Sequence, residues 1–309
     1  MSPTSGEKSD GRLSPDRLDA VLAAICDSAG LDSTDAKLIK FTNSAVFDLP
    51  CSSVVVRIAG SDTVTQRVAK VIQVAEWLAG HGFPAVRLLK GVPQPVSALG
   101  HVATLWHRVP AVGPEPTASD LAELLVEFHA LPQPDRLPAW EPLGEIRQRL
   151  AEAEGLGASD LAFLEDRCDK LQAELGDLSY VLPPGVIHGD AFLGNLIPGP
   201  DGPVMCDFDS TSVGPREWDL TPVAVGKLRF NYGNGVHEAL SAGYGFDVTG
   251  WDGFRVLRQV RELKLVTSVL PILRSNPSIR DQFQHRLRSF KAGDSTHWQP
   301  YATAASTTR

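Results

Sequence analysis

Apolar positions recur along this chain with two periods, and the change of period divides it. Leu18, Val21, Leu22 and Ile25 follow at helical spacing and Gly30 closes the segment. Ser14-Pro15-Asp16 ahead of them supplies a capping serine, a proline at the first helical position and an acid in the first turn. From Lys37 the pattern shortens to three apolar runs, 38–41, 45–49 and 54–58. Thr42-Asn43-Ser44 and the run 50–53 lie between them as turns. A helix is expected over 63–78, then two more strands at 88–89 and 101–109. After Pro110 the helical period dominates, with helices expected at 117–129, 143–154, 159–175, 217–230, 234–242, 251–274 and 278–291. Residues 1–13 are polar and read as a disordered leader, and 292–309 are rich in Thr, Ala and Ser and read as a flexible tail.

One stretch between the helices breaks the pattern and carries chemistry. Val186-Ile187 is a short apolar run that stops at His188-Gly189-Asp190. Asn195 follows five positions after Asp190, and Asp207-Phe208-Asp209 begins twelve after Asn195. Between them, Leu196-Ile197, the turn-forming run Pro198-Gly199-Pro200-Asp201-Gly202 and Val204-Met205-Cys206 read as a β-hairpin. A symmetric turn centred on Asp201 sets Asn195 opposite Asp207, with Cβ atoms roughly 5 Å apart. Two oxygen donors at that separation suit magnesium, which takes one or two ligands from protein and the rest from phosphate and water. An aspartate, an asparagine and a second aspartate at this spacing match a phosphoryl-transfer site. Asp190 handles the acceptor hydroxyl there, and Asn195 and Asp207 hold the metal.

Composition narrows the setting. The chain has 309 residues, 43% hydrophobic, enough for two lobes with real cores. A net charge of −8 argues against a general nucleic-acid binder, which shows a basic face. The cysteines, Cys26, Cys51, Cys168 and Cys206, have no metal-site or disulfide spacing. The longest apolar stretch, 263–273, is interrupted by lysine and proline and is too short for a membrane span. The polar start has no signal-peptide core, so a reducing cytoplasm is expected, with the protein a monomer or homodimer.

A small strand-rich lobe over 14–109, a linker, and a larger helical lobe over 110–291 make an α+β, bilobal, protein-kinase-like arrangement with five antiparallel strands in the N-lobe. The stretch VIHGDAFLGNLI…VMCDFDSTSVGPREWDL resembles the aminoglycoside phosphotransferase family, small-molecule relatives of protein kinases, and the family order runs over about 37–290. The resemblance implies an N-terminal nucleotide-binding lobe and a C-terminal catalytic and substrate lobe. It implies a phosphotransferase with an alcohol acceptor, ATP or GTP as donor, and Mg2+.

It also implies roles for further residues. Arg57 stands in the Val-Val-Val-Arg-Ile strand where kinases carry the phosphate-gripping lysine; a salt-bridged strand arginine is the alternative. Val71 takes the place of the glutamate that usually pairs with that cation, and Glu76 is the nearest acid. Ser44, with Thr42 and Asn43, covers the phosphates. Backbone groups of His107 and Val109 hold the purine edge, and Trp106 backs the base or serves as a core aromatic. His188 braces the loop rather than reacting, and Asp219 supports the loop or simply favours its helix N-terminus. Asp209 backs the metal ligands, contacts the metal or the substrate, or is simply a polar loop residue. Acidic groups, Glu262 beside Arg261 above all, with Asp247 and Asp252, suit an amino-substituted acceptor.

The favoured reading is O-phosphorylation of a small hydroxylated molecule, an antibiotic among the candidates. A metabolic sugar, amino alcohol or homoserine-type kinase and a catalytically weak nucleotide-binding relative are the alternatives. A protein kinase is disfavoured because Gly189 replaces the arginine of its catalytic loop and only eleven residues separate Asp207 from Asp219.

Overall fold

A computed structural model describes residues 13, 15–41, 44–153, 155–233, 235–274 and 277–301. The Ser14 cap, the Thr42-Asn43 turn, the leader before Leu13 and the tail after Tyr301 lie outside them. The chain folds as two compact units, Met1–Val112 and Gly113–Thr303.

The first unit is a five-stranded antiparallel sheet in the order β1-β2-β3-β5-β4, from β1 (Lys37–Phe41), β2 (Ser44–Leu49), β3 (Val54–Ala59), β4 (Val96–Ala98) and β5 (His101–His107). Strand alternation explains its two faces. Val54, Val56 and Ile58 bury themselves against Val21, Leu22 and Ile25 of helix α1 (Leu18–Ala29). Val55, Arg57 and Ala59 therefore point to the face of helix α2 (Asp62–Gly80). There Ala59 meets Val64 and Val68, and Val55 meets Val71, Ala75 and Trp106. Ser61 caps α2 by accepting the Val64 N–H, and α1 ends on Gly30 at φ 67°.

Two expectations change here. Residues 88–89 form no strand: Leu88 makes an isolated bridge to Trp106, and the fifth strand is β4. A two-residue apolar run between turn formers is too short to separate a strand from a bridged loop. Leu13, assigned to the leader, packs into the α1 core and donates its N–H to the Gly60 carbonyl.

The second unit begins with α3 (Ala118–Ala130), which Thr117 and Asp120 start as a reciprocal capping box. α4 (Gly144–Ala151) and α5 (Ala158–Gly176) follow. Strand β6 (Gly185–Ile187) pairs with β9 (Ser212–Gly214), and the hairpin β7 (Leu196–Gly199) and β8 (Gly202–Met205) lies between them in sequence. Helices α6 (Glu217–Phe230), α7 (Val236–Tyr244), α8 (Phe254–Thr267) and α9 (Arg280–Ala292) complete it. α8 runs through the core: Leu257, Val260, Leu263 and Val266 are buried with Leu164, Cys168 and Leu171 of α5 and Phe283 and Leu287 of α9. It stops at Thr267 rather than 274. Pro271 has no N–H, and its ring clashes with the carbonyl four residues back, at Thr267 itself. Among the described residues no helix is long and apolar enough to cross a membrane.

The tail expected from residue 292 is anchored through 301. Asp294 accepts the Ser289 hydroxyl at 2.5 Å and the Thr296 N–H at 2.9 Å, and Trp298 is 1% exposed beneath the Arg229 guanidinium. The composition of 292–309 concealed one large aromatic that outweighs its polar neighbours. Trp298→Ala is expected to cost about 3–5 kcal/mol in urea unfolding, the usual range for a buried tryptophan. The Ser289 and Thr296 hydrogen bonds hold the Asp294 carboxyl down to about 2. Its stabilisation is therefore present above the usual carboxylate range and lost as pH falls toward 2, and Asp294→Asn is expected to flatten that part of the stability–pH curve.

Candidate active site

The loop after β6 is held by backbone bonds to one buried carboxylate. Asp219, in the first turn of α6, is fully buried. It accepts the His188 N–H and the Gly189 N–H, each at 2.7 Å, and lies 3.0 Å from Nε2 of His129. Trp218 Nε1 donates to the Gly189 carbonyl at 2.9 Å. Gly189 has φ +84°, and a Cβ there would lie 2.2 Å from the Ser210 carbonyl oxygen, so only glycine fits. His188 is buried between Phe128 and Phe208. It accepts the Asp190 N–H on Nδ1 at 3.3 Å and donates from Nε2 to the Cys206 carbonyl at 3.0 Å. Both ring nitrogens are engaged in holding the loop. His129, which also bonds the Tyr244 hydroxyl at 2.8 Å, is a member of this clamp that the sequence reading did not single out. Its one signal was a histidine on the apolar face of α3, which usually means core.

Asn195 donates from Nδ2 to the Asp190 carbonyl at 2.8 Å, so these two motif residues are in direct contact. The hairpin register differs from the expected one. Leu196 pairs with Met205 and Gly199 with Gly202, so the turn centres between Pro200 and Asp201, and Asn195 lies beside Cys206, whose N–H it accepts at 2.9 Å. A one-residue slip reverses which side chains share a face. Asp207 leaves the pleat at this point: its φ of +68° is left-handed, an uncommon state for a non-glycine residue and one met at strained functional positions.

Magnesium fits this donor set. The Nδ2 bond would leave the Asn195 amide oxygen for a cation, to which Asp207 would add a carboxylate. Among the described residues no group of three or more His, Cys, Asp or Glu side chains forms a metal cage. Two oxygen donors are what magnesium uses when phosphates complete its shell.

Asp190 is ion-paired with Arg261 of α8 at 2.5 Å. Burial raises its carboxyl pKa, but the charges of Arg261 and then Lys264 outweigh burial and hold it at about 2. Lys264 lies 3.3 Å from the Ser210 hydroxyl and 3.8 Å from Glu145; burial pulls its ammonium below the usual lysine range. Arg261, named in the sequence only as a neighbour, and Lys264 are thus the α8 groups at the loop. Glu262 is not: it is 3% exposed and accepts Arg229 and Arg258, each at 2.7 Å. Adjacent helix positions point about 100° apart, so Arg261 and Glu262 cannot serve the same site. Asp247 caps a short turn, accepting the Thr249 N–H and pairing with His237, and Asp252 is exposed. Asp209 sits in a single helical turn after Asp207.

In the first unit, Ser44 is 5% exposed and its hydroxyl has no hydrogen-bond partner among the described residues. Arg57 pairs in register with Val46 and Thr104. Val71 is buried against Trp106, and Glu76 is exposed on the same helix, so neither supplies a buried carboxylate at the expected place. Trp106 packs in that cluster and donates from Nε1 to Thr104 at 2.8 Å, a core position that is also compatible with a pocket wall. The His107 N–H donates to the Arg87 carbonyl, and Val109 follows the end of β5.

Comparison with known proteins follows this geometry. The model of a phosphotransferase enzyme family matches residues 39–257. Among solved structures, an amicoumacin kinase bound to AMP-PNP, Ca2+ and its antibiotic aligns with a TM-score of 0.67 at 12% identity, covering 93% of this chain and 96% of that one. A choline/ethanolamine kinase family protein from Mesorhizobium loti gives 0.63 at 16% identity, over 90% and 93%. An aminoglycoside phosphotransferase from Streptomyces rimosus gives 0.59 at 19% identity, over 80% and 98%. No curated protein matches the chain significantly. The fold is thus the bilobal, protein-kinase-like α+β fold, and the family match extends across the Asp190, Asn195 and Asp207 motif: the chain belongs to the phosphotransferase enzyme family, kinases that act on the hydroxyl groups of small molecules.

Proposed function

We propose that the protein transfers the γ-phosphoryl group of ATP or GTP to a hydroxyl of a small molecule. The observation that carries this reading is the Asp190 carboxylate, kept ionised on a loop pinned by Asp219 and joined to Asn195 by a 2.8 Å hydrogen bond. In the transfer, a bond forms between the acceptor oxygen and the γ-phosphorus and the bond to the β–γ bridging oxygen breaks. The nucleoside diphosphate leaves, and the hydroxyl proton passes to Asp190 or to solvent. A carboxylate held near 2 is a weak base, so Asp190 acts chiefly by aligning the hydroxyl, which suits the loose transition state of phosphoryl transfer. Asn195 and Asp207 would hold Mg2+, whose charge stabilises the phosphates as negative charge shifts toward the leaving oxygen. Ser44, Arg57, the Trp106 wall and the His107 and Val109 backbone serve the nucleotide in the same reading, Arg57 without a glutamate from position 71. Phe128, Phe208, Asp219 and His129 position His188 and the loop.

An antibiotic acceptor draws support from the amicoumacin kinase and the aminoglycoside phosphotransferase among the similar structures. A metabolic acceptor draws support from the choline/ethanolamine kinase relative and from a microcompartment-associated aminopropanol kinase, similar at a TM-score of 0.62 and 18% identity. The apolar burial of Val71 favours, as a second reading, a relative that binds nucleotide but turns over slowly.

Diphosphate release with ATP and GTP against a panel of antibiotics and hydroxylated metabolites, followed by mass spectrometry, tests the reading. One added phosphate on one compound is the expected result. No turnover across the panel, with tight Mg–nucleotide binding, transfers support to the binding-only reading. Asp190→Asn is expected to lower turnover about 100- to 10,000-fold while Mg–nucleotide affinity holds. Asp207→Ala is expected to weaken that affinity as well, by at least about tenfold. Wild-type turnover in both variants would remove these residues from the site.

A further inference from the structure

Beside Arg261 the helical unit contains a cavity of about 220 Å3. Phe192, two residues after Asp190, lines it with Phe230, Tyr232 and Tyr301, and two guanidinium groups, Arg261 and Arg286, are its charged lining groups beside the polar Ser268. None of its described lining side chains is acidic. That is the reverse of the acidic surroundings expected for an amino-substituted acceptor.

The state of Arg286 sharpens the contrast. Arg149, Arg229 and Arg261 are buried arginines of this unit, and each has a carboxylate partner: Glu145, Glu262 and Asp190. Arg286 is 2% exposed and has none among the described residues. It donates to the backbone carbonyls of Leu265, at 3.4 Å, and Gln299, and stacks 3.5 Å from the Tyr301 ring centroid. Rings and carbonyls solvate a guanidinium without neutralising it, and a buried charge without a counter-ion is costly. The Nε atoms of Arg286 and Arg261 are both buried donors with no partner among the described residues. Lys264, on the same side of α8 as Arg261 but outside the cavity wall, has Glu145 at 3.8 Å, and Asp190 lies in the field of both Arg261 and Lys264. Ring faces, positive charge left over and a volume below the roughly 300–1,000 Å3 of drug-sized pockets describe a small, partly apolar anion.

We propose that this cavity is the acceptor subsite and selects a small hydroxylated carboxylate, its anionic end held by Arg261 and Arg286 and its apolar body against the rings, in preference to amino-substituted acceptors. The inference rests on the phosphotransferase reading for the hydroxyl's place at Asp190; the charge preference of the cavity stands apart from it. Guanidinium groups fork onto carboxylates with two parallel hydrogen bonds, which supplies orientation as well as attraction. An ammonium group in the same place meets like charge.

Two scaffolds, each in three charge states, test this on the full chain by calorimetry. One is 3-phenyllactate, its amide and 1-amino-3-phenylpropan-2-ol; the other is 3-hydroxybutyrate, its amide and 4-aminobutan-2-ol. The carboxylate of at least one scaffold is expected to bind at least tenfold more tightly than its amide, with the ammonium compound weakest. Arg286→Gln is expected to erase that preference and Arg286→Lys to keep part of it. Equal affinities within both scaffolds, tightest binding of an ammonium compound, or no binding by any of the six overturns the inference. Since Arg286 variants risk misfolding, the wild-type series decides alone. Mass spectrometry of the same mixtures with Mg–ATP separates the two readings. Carboxylate preference without phosphorylation of any hydroxyl compound transfers support to the binding-only reading and keeps the anion subsite, whereas phosphorylation of the ammonium alcohols without carboxylate affinity overturns the subsite and keeps the phosphotransferase reading.

Discussion

The Asp219 carboxylate is the constraint on which the catalytic loop depends. It is fully buried, and its acceptor capacity goes to two consecutive backbone N–H groups and one histidine. A carboxylate in such surroundings is tolerable only when hydrogen bonds replace its lost hydration. The exchange also serves the chain. His188 and Gly189 adopt a conformation that no sheet ladder satisfies, and Asp219 accepts the N–H groups that would otherwise be buried without partners. The loop, the first turn of α6 and the end of α3 are thereby joined, and Asp190 inherits their rigidity. Short polar side chains at the end of a strand become a fixed constellation because the groups behind them cannot move independently.

The same logic governs α8. Its apolar stripe, Leu257, Val260, Leu263 and Val266, seats it in the core; one flanking stripe carries Arg258 and Glu262 into a buried ion-pair network, and another carries Arg261 and Lys264 to the loop. The pairing with Arg261 keeps Asp190 charged throughout the ordinary pH range, at the expense of its strength as a base.

Periodicity made most of this fold legible. The alternation of Val54, Val56 and Ile58, and the spacing of Leu121, Leu124, Leu125 and Phe128, carried enough information to place β3 and α3. The motif was legible because Gly189 admits no Cβ and Asp190 and Asn195 touch through a backbone carbonyl, constraints that act within a few residues. What escaped is longer in range. The hairpin register turned on a single residue of turn geometry, and composition alone does not separate a turn centred on Asp201 from one centred between Pro200 and Asp201. Leu88 and Leu89 lacked the length to declare themselves loop. His129 and Asp219 are ninety positions apart, so no local pattern announced their contact. Arg261 and Glu262 illustrate the sharpest limit: the sequence favoured Glu262 and named Arg261 only as its neighbour, and only the rotational phase of α8 against the loop assigns Arg261 to Asp190 and Glu262 to the core.

That phase has an evolutionary consequence. Because the core stripe, the ion-pair stripe and the Arg261 stripe occupy separate sectors of one well-anchored helix, positions 261 and 265, with Ser268 just past its end, face the cavity while Leu257, Val260 and Leu263 stay in the core. With the acceptor in that cavity as proposed, a lineage changing its acceptor would rewrite only a few letters of this helix, and the inherited scaffold would remain as it was while new chemistry is tried against an old loop.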